Sequence, residues 1–283
     1  MAPRTLPTAR QVRLGAELRK LRFAAGLSAR EAAGLLTSTS AQMSQVESGL
    51  SGVSEERLRA LAALYGCGDG ALIDALVAMA VDRTRGWWEE YRSVLPPTFL
   101  DLAEFEHHAH SIQVIGTAHV PGLLQTEDYA RAVFSYWVPE FTAGELEPRV
   151  AHRMRRRGVI TREGAVAYDA VIHESVLRTR VADRSVALAQ LNEILRQSER
   201  ANVTVRVIPF AADGFAGASA ALLYLGGPVT ALDTVQRDTP YGTAFLDEAS
   251  QLRTMRTLFR KVKSVSLDPV KSREFIHRLV KEL

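Results

Sequence analysis

Two helix starts placed close together constrain this chain more than any other feature. In Ser28–Gly49, SAREAAGLLTSTSAQMSQVESG, Ser28 stands three residues before Glu31, and Thr39 three before Gln42. Each pair suits a reciprocal cap, in which the hydroxyl accepts from a first-turn backbone amide and the longer side chain reaches back to the cap residue's own amide. Two short helices are therefore expected. Ala32, Leu35 and Leu36 give the first an apolar face, and Met43 and Val46 give the second one at i, i+3 spacing. Neither stripe is wide enough for a freestanding helix, so the two must pack on each other. Only Thr37 and Ser38 separate them, which leaves room for a sharp turn and an angled crossing, the geometry of a helix-turn-helix.

Flanking residues complete the unit. Val12, Leu14, Leu18 and Leu21 recur at helical spacing before Gly26, a stop signal, and Ser54 caps a later helix whose Leu58, Leu61, Leu64 and Tyr65 form the inner stripe. Four or five helices then enclose one small core. Read without gaps, GLSAREAAGLLTSTSAQMSQVESG resembles the phage-repressor (Cro-like, XRE-type) helix-turn-helix family, including the S-Q-V-E-x-G ending of its recognition helix. The resemblance implies binding to double-stranded DNA. It also implies a structural pair between Arg22 and Glu47, in which leaving either charge buried alone would cost several kcal/mol.

Two positions depart from that family's pattern. Thr37 stands where the turn usually has Gly, and the recognition helix offers no Arg or Lys to grip guanine. Its expected base-reading positions are Ser40, Ala41, Gln42, Ser44 and Gln45; the two glutamines suit adenine and Ala41 a thymine methyl group. Phosphate contacts are expected from Arg30, from the helix N-termini at Ser28 and Thr39, and from Arg13, Arg19 and Lys20, with Arg10 and Arg4 of the N-terminal arm as further candidates. A helix-turn-helix used only for protein contacts is the alternative. Charge placement favours the polyanion. Residues 1–70 hold nine Arg and Lys against six Asp and Glu, while the rest of the chain is balanced at 26 of each.

Beyond Gly66, Gly68 and Gly70 the pattern restarts. Ala71–Leu95 reads as a helix ending at Pro96-Pro97, Phe99–His108 as another, and Ser111–Ile115 as a short strand. VPGLLQTEDYA, residues 120–130, resembles the signature of the C-terminal domain of WhiJ-like, antitoxin-like actinobacterial XRE regulators, and ERANVTVRVIPF at 199–210 and Phe245-Leu246 extend the resemblance. It implies a small partner protein. From the residues themselves, Pro121-Gly122 makes a tight turn ahead of an acid-rich helix start. Pro121, Gly122, Gln125, Thr126 and Tyr129 are candidates for the rim of a partner or ligand site, with a folding device as the alternative. Glu145–Gly158 carries Arg149, Arg153, Arg155, Arg156 and Arg157. It reads as a solvated basic face with local acidic partners, the alternative being contact with DNA or an acidic partner.

Strands are then expected at 165–173, 203–210, 218–225 and 230–236, with a helix at 186–200 and closing helices at 252–265 and 270–283. The fold class expected is α+β: a helix-turn-helix domain at 1–70, a helical linker at 71–100, and an α/β regulatory and dimerisation domain at 101–283 with a small mixed sheet.

Chemistry of other kinds finds little purchase. Cys67 is the only cysteine, which excludes an intrachain disulfide and cysteine-rich metal sites. His107, His108 and His110 lie near His119, but their spacing matches no helical zinc pattern, so no metal and no cofactor are expected. No phosphate-cradling loop or nucleophile elbow occurs, and a non-enzymatic protein is expected. The N-terminus lacks the apolar core of a signal peptide and no run is long enough to span a bilayer, which points to the cytoplasm. The expectation is a homodimeric, sequence-specific transcriptional regulator whose C-terminal domain receives a partner protein or small-molecule ligand. The alternative is an antitoxin-like protein whose main task is binding a small partner.

Overall fold

A computed structural model describes residues 6–36, 38–216, 222–239 and 242–283. The expectations for Arg4 and Thr37 fall outside these residues, as does 218–221 of the strand expected at 218–225.

The first helices are α1 (Ala9–Ala24), α2 (Ala29–Leu35), α3 (Ser40–Glu47), α4 (Glu55–Leu64) and α5 (Gly70–Val81). Both caps of the opening stretch form as expected: the Ser28 hydroxyl accepts from the Glu31 amide and Thr39 from that of Gln42, with both long side chains returning. Leu18, Met43, Val46, Leu58 and Leu61 lie at the centre of the core that results. Two apolar positions differ from the pattern. Leu35 is 62% exposed and Val12 43%, and in α2 Ala33 is buried beside the expected Ala32.

Residues 71–81, assigned by the sequence pattern to a linker, are built into this core: Leu72, Ala75, Leu76, Val77 and Ala80 pack in the same cluster. The single long helix expected over 71–95 is broken at Asp82, whose carboxylate accepts from the Thr84 amide. A short 3-10 turn at Trp87–Tyr91 follows, and Pro96 opens α6 (Pro97–His108).

The rest of the chain builds one mixed sheet of six strands, flanked by helices on both faces. In chain order the elements are β1 (Ser111–Gly116), α7 (Glu127–Ser135), α8 (Ala143–Arg156), α9 (Gly158–Thr161), β2 (Ala167–His173), α10 (Glu174–Arg178), α11 (Arg184–Gln197), β3 (Val203–Ile208), β4 (Leu222–Gly226), β5 (Thr234–Thr239), β6 (Gly242–Leu246), α12 (Ala249–Ser264) and α13 (Pro269–Glu282). The strand order is β3-β2-β1-β4-β5-β6; the first three run parallel, and β4, β5 and β6 pair antiparallel. Side chains alternate across the pleat. Ile112, Ala170, Ile172, Val205 and Val207 face one core with Ile194 and Ile276, while Ile115, Val171 and Ile208 face the other with Leu252 and Phe259. The fold is thus α+β, with an all-helical head and a helix-flanked mixed sheet. The edge strand β6 has no counterpart in the apolar alternation of the sequence, because Thr243, Ala244, Phe245 and Leu246 are only half-buried.

The head rests on the antiparallel half of the sheet. Leu232, just before β5, is buried in the head's own core. Arg13 of α1 pairs with Glu17 and donates to the backbone oxygens of Ala231 (2.5 Å) and Asp233 (3.4 Å). Lys20 donates to Glu17 and to the Asp247 carbonyl, each at 2.9 Å.

Candidate functional sites: the exposed face of α3 and a cavity beside α8

The five expected base-reading residues, Ser40, Ala41, Gln42, Ser44 and Gln45, are all exposed, while Met43 and Val46 between them are buried. A helix of eight residues with two buried positions three apart presents one continuous polar face. Its angle is held at the far end. Arg22 Nε and Nη2 donate to the two carboxylate oxygens of Glu47 at 2.6 and 2.7 Å, and Nη1 donates to the Leu27 carbonyl at 2.7 Å. The hydrogen bond to Glu47 raises the Arg22 pKa and outweighs the opposing effect of burial. Gly15 and Gly49 let α1 approach this end, since a Cβ at Gly15 would meet the Glu47 carbonyl at 2.5 Å and one at Gly49 would meet Gln11 backbone at 2.8 Å.

The two glutamines are not equivalent. Gln42 Oε1 accepts from the Thr39 amide at 3.1 Å and from Ser38 Oγ at 3.0 Å, so half of its amide belongs to the cap. A bidentate grip on adenine requires both halves, which leaves Gln45 as the reader with the freer side chain. The phosphate candidates divide likewise. Ser28, Arg30, Thr39 and Arg19 are exposed. Arg13 is 4% exposed, and Arg13 and Lys20 are engaged with Glu17 and the C-terminal half of the chain, so neither reaches a phosphate in this arrangement. The charge of α1 that reads as a nucleic-acid contact in the sequence serves here to seat the head.

A second concavity lies within the C-terminal half, with a volume of about 320 Å³. Its walls come from α6, α7, α8, the turn after β1 and the strands β1, β2, β4, β5 and β6. Pro121, Gly122 and Gln125 of the expected rim line it. Thr126 and Tyr129 do not: the Thr126 hydroxyl caps α7, its amide donates to Gln190 at 2.8 Å, and the buried Tyr129 hydroxyl accepts from the Val120 amide at 3.2 Å. The VPGLLQT segment is therefore both a wall and a folding device. Gln125 joins the two roles, donating to the Val120 carbonyl and accepting from Arg153 Nη1 at 2.6 Å. Gly122 admits that arginine, because a Cβ there would touch its Cδ at 3.3 Å.

The basic helix α8 is solvated only in part: Arg155 is exposed and pairs with Glu90, whereas His152 and Arg156 are buried. Arg156 is buried and donates through Nε and Nη2 to both oxygens of the buried Glu106, at 2.8 and 2.6 Å. Arg153 faces the cavity, stacked 4.7 Å from the Phe134 ring centroid. His152 sits 1% exposed among Trp87, Tyr91 and Phe99, with neither ring nitrogen hydrogen-bonded. Burial, with the neighbouring Arg156 and Arg153, pushes the His152 pKa down to about 3, so the ring is neutral. The spacing of Arg149, His152, Arg153 and Arg156 puts them on one helical face, but does not say which way that face turns.

Elsewhere, His108 lies 3.3 Å from Asp82, and burial pushes its pKa down to about 4; His107 contacts Arg162. Among the described residues no group of three or more His, Cys, Asp or Glu side chains could hold a metal ion, and no helix is long and apolar enough to cross a membrane.

A helical head with an exposed polar face on α3, joined to a sheet domain with its own cavity, defines a two-part helix-turn-helix protein. Residues 13–76 match the family model described as a helix-turn-helix domain. Residues 99–278, well over half the chain, match the model described as a Domain of unknown function (DUF5753), and the chain belongs to that family. No curated protein and no solved structure matches it.

Proposed function

We propose that this protein is a cytoplasmic, sequence-specific DNA-binding transcriptional regulator of the XRE, WhiJ-like kind. In this reading it works as a homodimer without catalytic activity or cofactor, and its C-terminal domain receives a small-molecule ligand. The observation that carries the reading is the split of α3, in which all five expected base readers are exposed and both intervening apolar residues are buried. One recognition helix per chain reads one half-site, and two chains read a palindrome. Ligand reception is supported by β5. Gln236 and Asp238 line the cavity, and a few residues earlier in the chain the Asp233 carbonyl accepts from Arg13 of the head. A change in the cavity thus has a short covalent path to the head.

The test is selection of bound sequences from a random duplex pool with the full chain, followed by footprinting. Enrichment of a two-fold symmetric site is expected. Binding without sequence preference, or none, ends the reading.

A second reading makes a small partner protein the main target, as in antitoxin-like proteins. It is favoured by Tyr136, Trp137 and Val138 at the end of α7, which are 89%, 59% and 87% exposed. Copurification of a stoichiometric small protein that displaces DNA would select it over the first.

A further inference from the structure

The cavity beside α8 contains two arginines and one buried carboxylate. Glu106 gives both oxygens to Arg156. Arg153 forms no ion pair among the described residues, and its hydrogen bond goes to the neutral amide of Gln125. Burial, with Arg156 beside it, pulls the Arg153 pKa down to about 9, which leaves it the cation at neutral pH with its charge poorly solvated. Attraction from Glu106 and Asp238 offsets this only in part. His152 is neutral, burial with the nearby Arg153 lowers the His119 pKa, and Asp238 is exposed and accepts from Gln236 and Thr243 at 2.6 and 3.0 Å. The other walls are mainly apolar, with Phe99, Leu102, Val133, Phe134, Trp137 and Leu223.

A half-buried guanidinium with no directly paired acid among the described residues is poorly compensated, and an incoming oxyanion gains a charge-assisted, two-pronged partner there. The volume falls at the lower end of small-molecule sites, roughly 300 to 1,000 Å³. We propose that the cavity binds a small amphipathic organic anion, its carboxylate held by Arg153 and its apolar body against Phe99, Phe134 and Trp137. The assignment rests on the reading of the C-terminal domain as a ligand receiver and names what that domain receives. Gln125 and Gly122 are its positioning residues, one orienting the guanidinium and the other giving it room.

The test uses the full chain at neutral pH, with octanoate and its uncharged counterpart octanamide as probes in titration calorimetry. Octanoate is expected to bind the wild type about tenfold or more tightly than octanamide, because only the acid meets the cation. Arg153→Gln should bring the two affinities together, and Arg153→Lys should restore part of the difference. Should Arg153→Gln fold poorly, Val133→Trp, which fills the cavity from α7, should abolish octanoate binding with the charge untouched. Equal affinity of the wild type for acid and amide overturns the anion assignment while the cavity remains a receiver. Failure of the wild type to bind either probe overturns both, and octanoate binding that survives Val133→Trp places the anion elsewhere and overturns the assignment. The DNA selection above is read separately, so none of these outcomes is confused with failure of the DNA reading.

Discussion

Two buried, bidentate arginine–glutamate pairs stand out among the described residues, one in each half. Arg22 with Glu47 closes the head and Arg156 with Glu106 stands behind the cavity; in both, Nε and one terminal nitrogen meet the two carboxylate oxygens at 2.6 to 2.8 Å. The difference lies in what surrounds them. Arg22 completes its bonding on the Leu27 carbonyl, so this pair is closed and acts as a latch on α3. Arg156 has a second guanidinium one turn of helix away, and Glu106 cannot serve both. One pair fixes a surface; the other leaves a positive charge facing an open volume. A buried ion pair thus contributes position in one place and unsatisfied charge in the other, and neither is mainly a source of stability.

The sharpest way to break the comparison is to remove each acid. Glu106→Gln strands Arg156 beside the already unpaired Arg153 and should destabilise the fold by about 3 to 5 kcal/mol in urea unfolding. Replacing Arg156 with Met in the same chain should recover much of the loss, since an apolar side chain leaves no charge to solvate. Glu47→Gln strands one cation and should cost about 3 kcal/mol. Its effect on DNA binding should exceed its effect on stability, because α3 loses the contact that sets its angle. Equal unfolding curves for the two variants would mean that the second arginine behind the cavity adds nothing.

His152 sharpens the same contrast through pH. In the unfolded chain an imidazole titrates near 6.5, and in the fold burial holds this one at about 3. Below pH 6.5 the unfolded chain binds a proton that the folded chain does not, so stability present above that value is lost as the pH falls toward 3. By about pH 4.5 the loss assignable to this ring is on the order of 2 to 3 kcal/mol. His152→Phe, which suits the surrounding Trp87, Tyr91 and Phe99, should remove that part of the acid sensitivity and change stability at pH 7 by under about 1.5 kcal/mol. An unchanged pH profile in the variant would show that the ring does not titrate with unfolding.

The two halves were also unequally legible in the sequence. In the head, caps, apolar spacing and the Arg22–Glu47 pairing all follow from local pattern or resemblance, because each helix is specified by residues three or four apart. Beyond the exposed Leu35 and Val12 and the core role of 71–81, the departures there concern Arg13 and Lys20, which reach partners more than two hundred residues away at Ala231 and Asp247. No local pattern reports such a partner. In the C-terminal half the strands β1, β2 and β3 are visible as apolar alternation, whereas the role of α8 is not. Arginines are usually solvated, and only the buried Glu106, on a helix 50 residues earlier, turns this face inward. The turn residues Pro121, Gly122 and Gln125 were found through their motif. Their function as a support for Arg153 depends on a contact across 28 residues.

The smallest predicted effects separate the two glutamines of α3. Gln45→Ala should relax preference at one base position by about 1 to 3 kcal/mol and leave stability nearly unchanged, since its side chain is exposed. Gln42→Ala should behave in the opposite way. It removes the return half of the cap on Thr39 and should cost about 1 kcal/mol of stability, with a smaller change in base preference. Arg30→Ala is the control for both, weakening binding to all sequences alike and reducing the salt slope by about one. Competition binding across single-base variants of the selected site, set beside thermal unfolding, measures the two quantities together. If Gln42→Ala shifts specificity more than Gln45→Ala, the cap opens on the duplex and Gln42 turns from holding α3 to reading with it.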